Sequence, residues 1–150
     1  MKIQDIMTRD VCIADPNQTV REAAKKMSEI DIGLLPIAEN DRLVGMISDR
    51  DIALRCVAEG KGPDAFVRDV MTRDVKYCYD DQNVEDVASN MAEQQLRRLP
   101  VVDHDKKLVG IVSLADIAMD RDAALSGAAL RGISQPGGVH CQSRGGARAA

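Results

Sequence analysis

Aromatic side chains are nearly missing: one Phe, two Tyr and no Trp make up 2% of the 150 residues. A core must therefore be built from Val, Ile, Leu, Met and Ala, without the large buried surfaces that aromatic rings usually supply. Histidine is equally scarce, with only His104 and His140. One falls in a predicted hairpin turn and the other in a glycine-rich stretch, so neither is placed as a general base. The four cysteines, Cys12, Cys56, Cys78 and Cys141, are widely spaced and form no C-x-x-C. With so little histidine beside them they read as free thiols of a reducing compartment, and no metal site is expected. No apolar run approaches the ~20 residues of a membrane span, and the start MKIQDIMTRD has no apolar signal core. The expectations are a cytoplasmic location and no membrane partner. A basic excess is lacking too, since the net charge is -4, which argues against a nucleic-acid partner. G-x-S-x-G, the P-loop and paired Cys/His arrangements are absent, so the chain is not expected to be an enzyme.

What remains is ordinary globular material, 45% hydrophobic and 29% charged, and it is organised by an internal repeat. Asp5-Ile6-Met7-Thr8-Arg9-Asp10-Val11 returns as Asp69-Val70-Met71-Thr72-Arg73-Asp74-Val75. At the same offset Val20, Ala24, Met27, Glu29 and Leu35-Pro36 return as Val84, Ala88, Met91, Glu93 and Leu99-Pro100. After one inserted residue, Leu43-Val44-Gly45 and Ser48-x-x-Asp51-Ile52-Ala53 match Leu108-Val109-Gly110 and Ser113-x-x-Asp116-Ile117-Ala118. So many matches with a single gap mark a duplication.

Each copy predicts the same element order, βαββα. Residues 11–14 and 75–79 are short β-forming stretches. Val20, Ala23, Ala24, Met27 and Ile30 then fall at helical spacing, as do Val84, Val87, Ala88 and Met91. Residues 34–38 with 43–47, and 99–102 with 108–112, read as hairpins joined at Glu39-Asn40-Asp41 and Asp103-His104-Asp105. Ser48 and Ser113 are N-caps of a closing helix, each with an Asp at the third position beyond. The fold class is α/β (α+β), with the two repeats packed about a pseudo-twofold axis. The expected division is repeat 1 at 1–60, a linker at 61–68, repeat 2 at 69–125, and a flexible C-terminal tail at 126–150. The tail carries no apolar periodicity.

Met-Thr, an amphipathic helix, Leu-Pro-Ile/Val and Leu-Val-Gly-x-Ile/Val-Ser-x-x-Asp-Ile, twice in that order, resemble a tandem pair of CBS domains, named for cystathionine β-synthase. The chain is similar to stand-alone bacterial two-CBS proteins of the hypoxic response type. The resemblance implies a regulatory or sensor module that is often a homodimer and binds an adenosine-containing small molecule between its repeats. AMP, ADP, ATP, NAD and S-adenosylmethionine are the ligand types, bound as an effector and not as a catalytic cofactor. Occupancy would be transmitted to an unknown protein partner by conformational change.

In that family the Ser/Thr-x-x-Asp element reads ribose and phosphate, a role the resemblance carries to Ser48 with Asp51 and to Ser113 with Asp116. A carboxylate in the first helical turn can accept hydrogen bonds from both ribose hydroxyls, while the hydroxyl and the helix-start N–H groups meet phosphate. Arg50, Arg97 and Arg98 are the expected phosphate cations. They are divided between the copies, because Gly33-Leu34 stand where the second has Arg97-Arg98, and Leu114-Ala115 where the first has Asp49-Arg50. The two sites are therefore expected to differ. By the same resemblance, Val11, Cys12, Ile13 and Pro36, with Val75, Lys76, Tyr77 and Pro100, form the adenine slot. The residues alone leave three alternatives open: both Ser/Asp pairs as plain helix caps, Arg97 and Arg98 paired with Asp103 or Glu93, and a dimerisation or protein-interaction module that binds no nucleotide.

Overall fold

The computed structural model describes residues 1–120 and 123–135, with Asp120, Ala123 and Ser126 described by their backbone alone. In chain order the elements are α1 (Val20–Ile30), β1 (Leu34–Glu39), β2 (Arg42–Ser48) and a short α2 (Asp49–Asp51) that runs on as a π-helical stretch, Ile52–Val57. Then come β3 (Cys78–Tyr79), α3 (Val84–Gln94), β4 (Arg98–Val102), β5 (Leu108–Ser113), α4 (Leu114–Asp120) and α5 (Ala123–Ile133). The helices and strands form two compact units. One joins Asp10–Lys76 to His104–Leu108; the other joins Met1–Arg9, Tyr77–Asp103 and the chain from Val109.

In the first unit Thr19 caps α1, its Oγ1 accepting from the Glu22 amide at 3.2 Å, and Val20, Ala23 and Met27 are buried. β1 and β2 form the expected antiparallel hairpin, from Leu34 opposite Ser48 to Glu39 opposite Arg42. Its turn rests on Asn40 and Asp41, both left-handed at φ 53° and 66°. That pairing suits the right-handed twist of the flanking strands. Where a strand is expected at 11–14, the structure keeps one parallel bridge, Ala14 to Ile37. The Ala14 amide donates to the Pro36 carbonyl at 3.1 Å, and the Ala14 carbonyl accepts from the Ala38 amide at 3.1 Å. The stretch ends there because Asp15 turns the chain, its carboxylate accepting from the Asn17 amide at 2.8 Å.

The second unit repeats the plan, with sheet order β3-β4-β5. β3 is parallel to β4 and is only Cys78 and Tyr79, shorter than the expected 75–79. Val84, Val87, Ala88 and Met91 of α3 are buried against Leu99, Val101, Val112 and Ile117.

The flexible tail expected from 126 is corrected over its first part, because α5 carries the chain as helix to Ile133. The sequence does not announce this helix, because Ala-Ala-Leu-Ser-Gly-Ala-Ala-Leu-Arg-Gly-Ile offers small residues in place of an amphipathic stripe. Alanine is the best helix former, and small residues allow close packing. A Cβ at Gly132 would lie 2.6 Å from the Cβ of Ala92 on α3, and Ala129 is buried. The rest of the expected tail, 136–150, with His140 and Cys141, lies outside the described residues.

The compact units are not the linear repeats. Each takes in the Met-Thr segment that precedes the other copy. Thr72 exchanges both backbone hydrogen bonds with Met46 of β2, at 2.8 and 2.9 Å, and Thr8 does so with Ile111 of β5, at 2.9 and 3.0 Å. Glycine makes this approach possible. A Cβ at Gly45 would stand 2.9 Å from the Thr72 carbonyl oxygen, and one at Gly110 would stand 2.9 Å from that of Thr8. The repeated Leu-Val-Gly is thus where a second backbone crosses the strand.

Candidate functional site

Each hairpin runs directly into a helix, and the corner between them holds the Ser/Asp pair. At the first corner the Ser48 amide donates to Asp51 Oδ2 at 2.9 Å, and the Asp51 amide donates to Ser48 Oγ at 3.0 Å. At the second the Ser113 amide donates to Asp116 Oδ2 at 2.7 Å, and the Asp116 amide donates to Ser113 Oγ at 3.2 Å. Both are reciprocal capping boxes. The cap uses one carboxylate oxygen, Oδ2, and leaves the other, Oδ1, pointing elsewhere. What faces that second oxygen separates the corners.

Asp51 Oδ1 is attended. Thr72 Oγ1 donates to it at 3.5 Å, and Arg55 Nε lies 3.9 Å away. Arg55 is held there by a bond from Nη1 to the Met71 carbonyl at 3.2 Å. Neither Thr72 nor Arg55 is among the residues singled out from sequence. The signal for Thr72 was the returning Met-Thr; Arg55 gave none. Asp116 Oδ1 has no hydrogen-bond or ion-pair partner among the described residues; Ser113 Oγ, at 3.0 Å, adds a second bond to Oδ2.

Charge divides the corners as well. The Leu114 amide donates to the Arg97 carbonyl at 2.9 Å, which fixes Arg97 beside the second corner. Arg98 follows at the start of β4. Both side chains are exposed, and neither guanidinium has a hydrogen bond or ion pair among the described residues. At the first corner the matching bond runs from the Asp49 amide to the Gly33 carbonyl, also at 2.9 Å. Gly33 has no side chain, and the Asp49 carboxylate fills the space, 2.7 Å from where a Cβ would be. A carboxylate thus lies over Gly33 at the first corner, and the matching position at the second corner is Arg97. Arg50 is exposed and adds a cation on the first side.

The expected adenine-slot residues fall in both units. Val11 and Cys12 are half-buried, Ile13 is exposed and Pro36 is buried; all lie in the unit of the first corner with Val75 and Lys76. Tyr77 and Pro100 lie in the other, Tyr77 exposed and Pro100 buried. The Tyr77 ring meets that of Tyr79 edge-on, centroids 5.8 Å apart. Between them in sequence, burial pushes the Cys78 thiol up to about 12, and the Asp80 charge adds to the shift. Cys78 is therefore an inert core thiol at neutral pH.

The CBS domain model matches the chain twice, at residues 3–57 and 67–120. The chain belongs to the CBS domain family. Its two CBS copies are what the repeat in the sequence records, and the α+β CBS fold is the fold of both units. CBS domain-containing protein YhcV of Bacillus subtilis is 41% identical over 133 residues, 88% of this chain and 94% of the relative. Among solved structures, Hypoxic Response Protein I with two coordinated zinc ions has a TM-score of 0.74 at 36% identity, covering 81% of this chain and 100% of that one. CBSX2 in complex with AMP has a TM-score of 0.71 at 31% identity, covering 79% and 93%. Among the described residues of this CBS protein, no three or more His, Cys, Asp or Glu side chains are grouped to hold a metal ion. No helix among them is long and apolar enough to cross a membrane.

Proposed function

We propose that this chain is a non-catalytic regulatory module that binds an adenine nucleotide of the AMP, ATP or NAD type and passes its occupancy to a protein partner. The second corner is the principal site. Asp116 Oδ1 accepts the ribose hydroxyls, Ser113 stands beside the phosphate, and Arg97 and Arg98 neutralise it. Tyr77, Pro100 and the strand edge next to them take the base. The observation that carries this reading is an Asp116 carboxylate oxygen without a partner among the described residues, at a corner bonded through its backbone to Arg97, with the exposed Arg97 and Arg98 likewise unpaired among those residues. A carboxylate and a cation side by side match the two ends of a nucleoside phosphate. The AMP complex of CBSX2, a relative in fold and sequence, supports the ligand class.

At the first corner, Ser48, Arg50 and Asp51, with Val11, Cys12, Ile13, Pro36, Val75 and Lys76, form a weaker counterpart. There Arg55 and Thr72 already occupy the carboxylate, and Asp49 opposes a phosphate. Ligand binding favours one conformation of the pair of repeats, and the partner reads the shift; the size of the response is set by the difference in affinity between the states. The module is proposed to work in the cytoplasm as a homodimer.

Titration calorimetry with AMP, ATP, NAD and S-adenosylmethionine tests the ligand class. An adenine nucleotide is expected to bind well below millimolar, and tighter than adenosine because of the phosphate. If none of the four binds below millimolar, the reading fails and a purely structural interaction module takes its place.

A further inference from the structure

The helix that leaves the Ser/Asp corner is wound differently in the two copies. After the second corner the chain runs on as α-helix, Leu114–Asp120. After the first, only Asp49–Asp51 is α-helical, and Ile52–Val57 is a π-helix. The Ala58 amide donates to the Ala53 carbonyl at 2.9 Å, and the Lys61 amide to the Cys56 carbonyl at 2.8 Å, each five residues back. An α-helix turns once in about 3.6 residues, so a side chain four positions on has passed the one below it. The wider π-turn brings it back over that residue, and such turns gather at functional sites. Here the pair so aligned is Asp51 and Arg55.

Arg55 is set by this winding against the one carboxylate oxygen that the cap leaves over. Its Nε stands 3.9 Å from Asp51 Oδ1, and its Nη1 donates to the Met71 carbonyl at 3.2 Å. The Asp51 side chain is 16% exposed, whereas that of Arg55 is 50% exposed. The carboxylate is mostly covered, and the arginine beside it borders solvent into which it can move. A half-exposed ion pair at that separation is weak and screened by salt. The repeat aligns Arg55 with Asp120, so the second copy carries no cation at the matching position.

We propose that Arg55 is an intrachain latch on the first corner. It holds the carboxylate oxygen that would accept the ribose hydroxyls. A nucleotide enters there only by displacing the guanidinium, which swings into solvent while the capping box stays intact. The first corner then fills last, at a higher nucleotide concentration than the second. The latch rests on the nucleotide binding proposed above and names the residue that keeps the first site shut.

AMP titration calorimetry on Asp116→Asn, with and without Arg55→Met, tests it. Asn keeps an oxygen for the Ser113 amide and presents an amide N–H group where the ribose hydroxyls need an acceptor. The second corner stays capped but is closed to ribose, and the heat reports the first. Adding Arg55→Met is expected to tighten AMP about twofold to fivefold, as one half-exposed ion pair allows. The gain is expected to shrink as sodium chloride is raised. Damage to packing would weaken binding instead, and Arg55→Gln repeats the comparison if Met disturbs the melt. Unchanged or weaker AMP binding without Arg55 overturns the latch, the weaker case making Arg55 a phosphate contact. A gain that ignores salt also overturns it, since the ion pair would not be its source. The wild type is titrated alongside. If it binds AMP while removal of Arg55 gains nothing, the latch alone fails; if neither it nor any variant binds, the latch and the nucleotide reading fail together.

Discussion

The two Ser/Asp corners share a sequence motif, a capping box and a crossing Met-Thr segment, yet present different chemistry. At the first, Asp51 is held by Thr72 and Arg55, and Asp49 replaces the missing side chain of Gly33. At the second, among the described residues, Asp116 keeps an open oxygen, and Arg97 and Arg98 have no hydrogen-bond or ion-pair partner. Duplication preserves what folds the corner and frees what decorates it. The cap and the glycine crossing are backbone needs that both copies must meet. The side chains that would meet a ligand have no such constraint.

The comparison sharpens first where the copies should behave alike. Gly45→Leu and Gly110→Leu each drive side-chain atoms into a carbonyl oxygen that a Cβ would already approach to 2.9 Å. Each should cost at least the ~1–3 kcal/mol typical of overpacking, read by urea denaturation. A loss at one corner only would mean that the two crossings are not equivalent.

Next comes a contrast in charge. Replacing Arg97 and Arg98 together by Ala should weaken AMP roughly tenfold at low salt, since hydrogen bonds to charged groups contribute about 1.5–3 kcal/mol and exposure discounts this. Adenosine should be almost unaffected. Arg50→Ala should change AMP binding less than twofold, and an equal or larger effect there would reverse the assignment of the corners.

A smaller effect separates the strands that precede the helices. Cys78 occupies the place that Ala14 holds in the first copy. Its thiol is raised by burial from 9.0 to about 12 in the folded protein. Between those values the unfolded chain has lost the proton and the folded one keeps it, so stability falls as pH rises from about 9 to 12. It is undiminished below that window. Cys78→Ala should flatten this alkaline limb of a denaturation series.

Much of the fold is legible in the residues because it is local. Helix periodicity in α1 and α3, the Asn40-Asp41 turn and the Ser-x-x-Asp caps each depend on neighbours within a few positions. What is not legible is long-range or lacks a pattern. Thr72 reaches Met46 and Asp51 through pairing across the chain, and Met-Thr announces a repeat without saying where it packs. The helix α5 hides because alanine and glycine carry no hydrophobic stripe, although they are what lets it lie against Ala92. The inequality of the corners is half visible. The divided arginines show in the sequence, but the Asp49 carboxylate over Gly33 and the Arg55 contact to Asp51 need the structure.

The most direct test is AMP titration calorimetry on the wild type beside Asp51→Ala and Asp116→Ala, with each variant checked for cooperative melting because both lose a helix cap. One tight AMP per chain is expected, weakened at least tenfold by Asp116→Ala and less than threefold by Asp51→Ala. Equal loss in both variants, or loss confined to Asp51→Ala, would contradict the assignment of the nucleotide to the second corner.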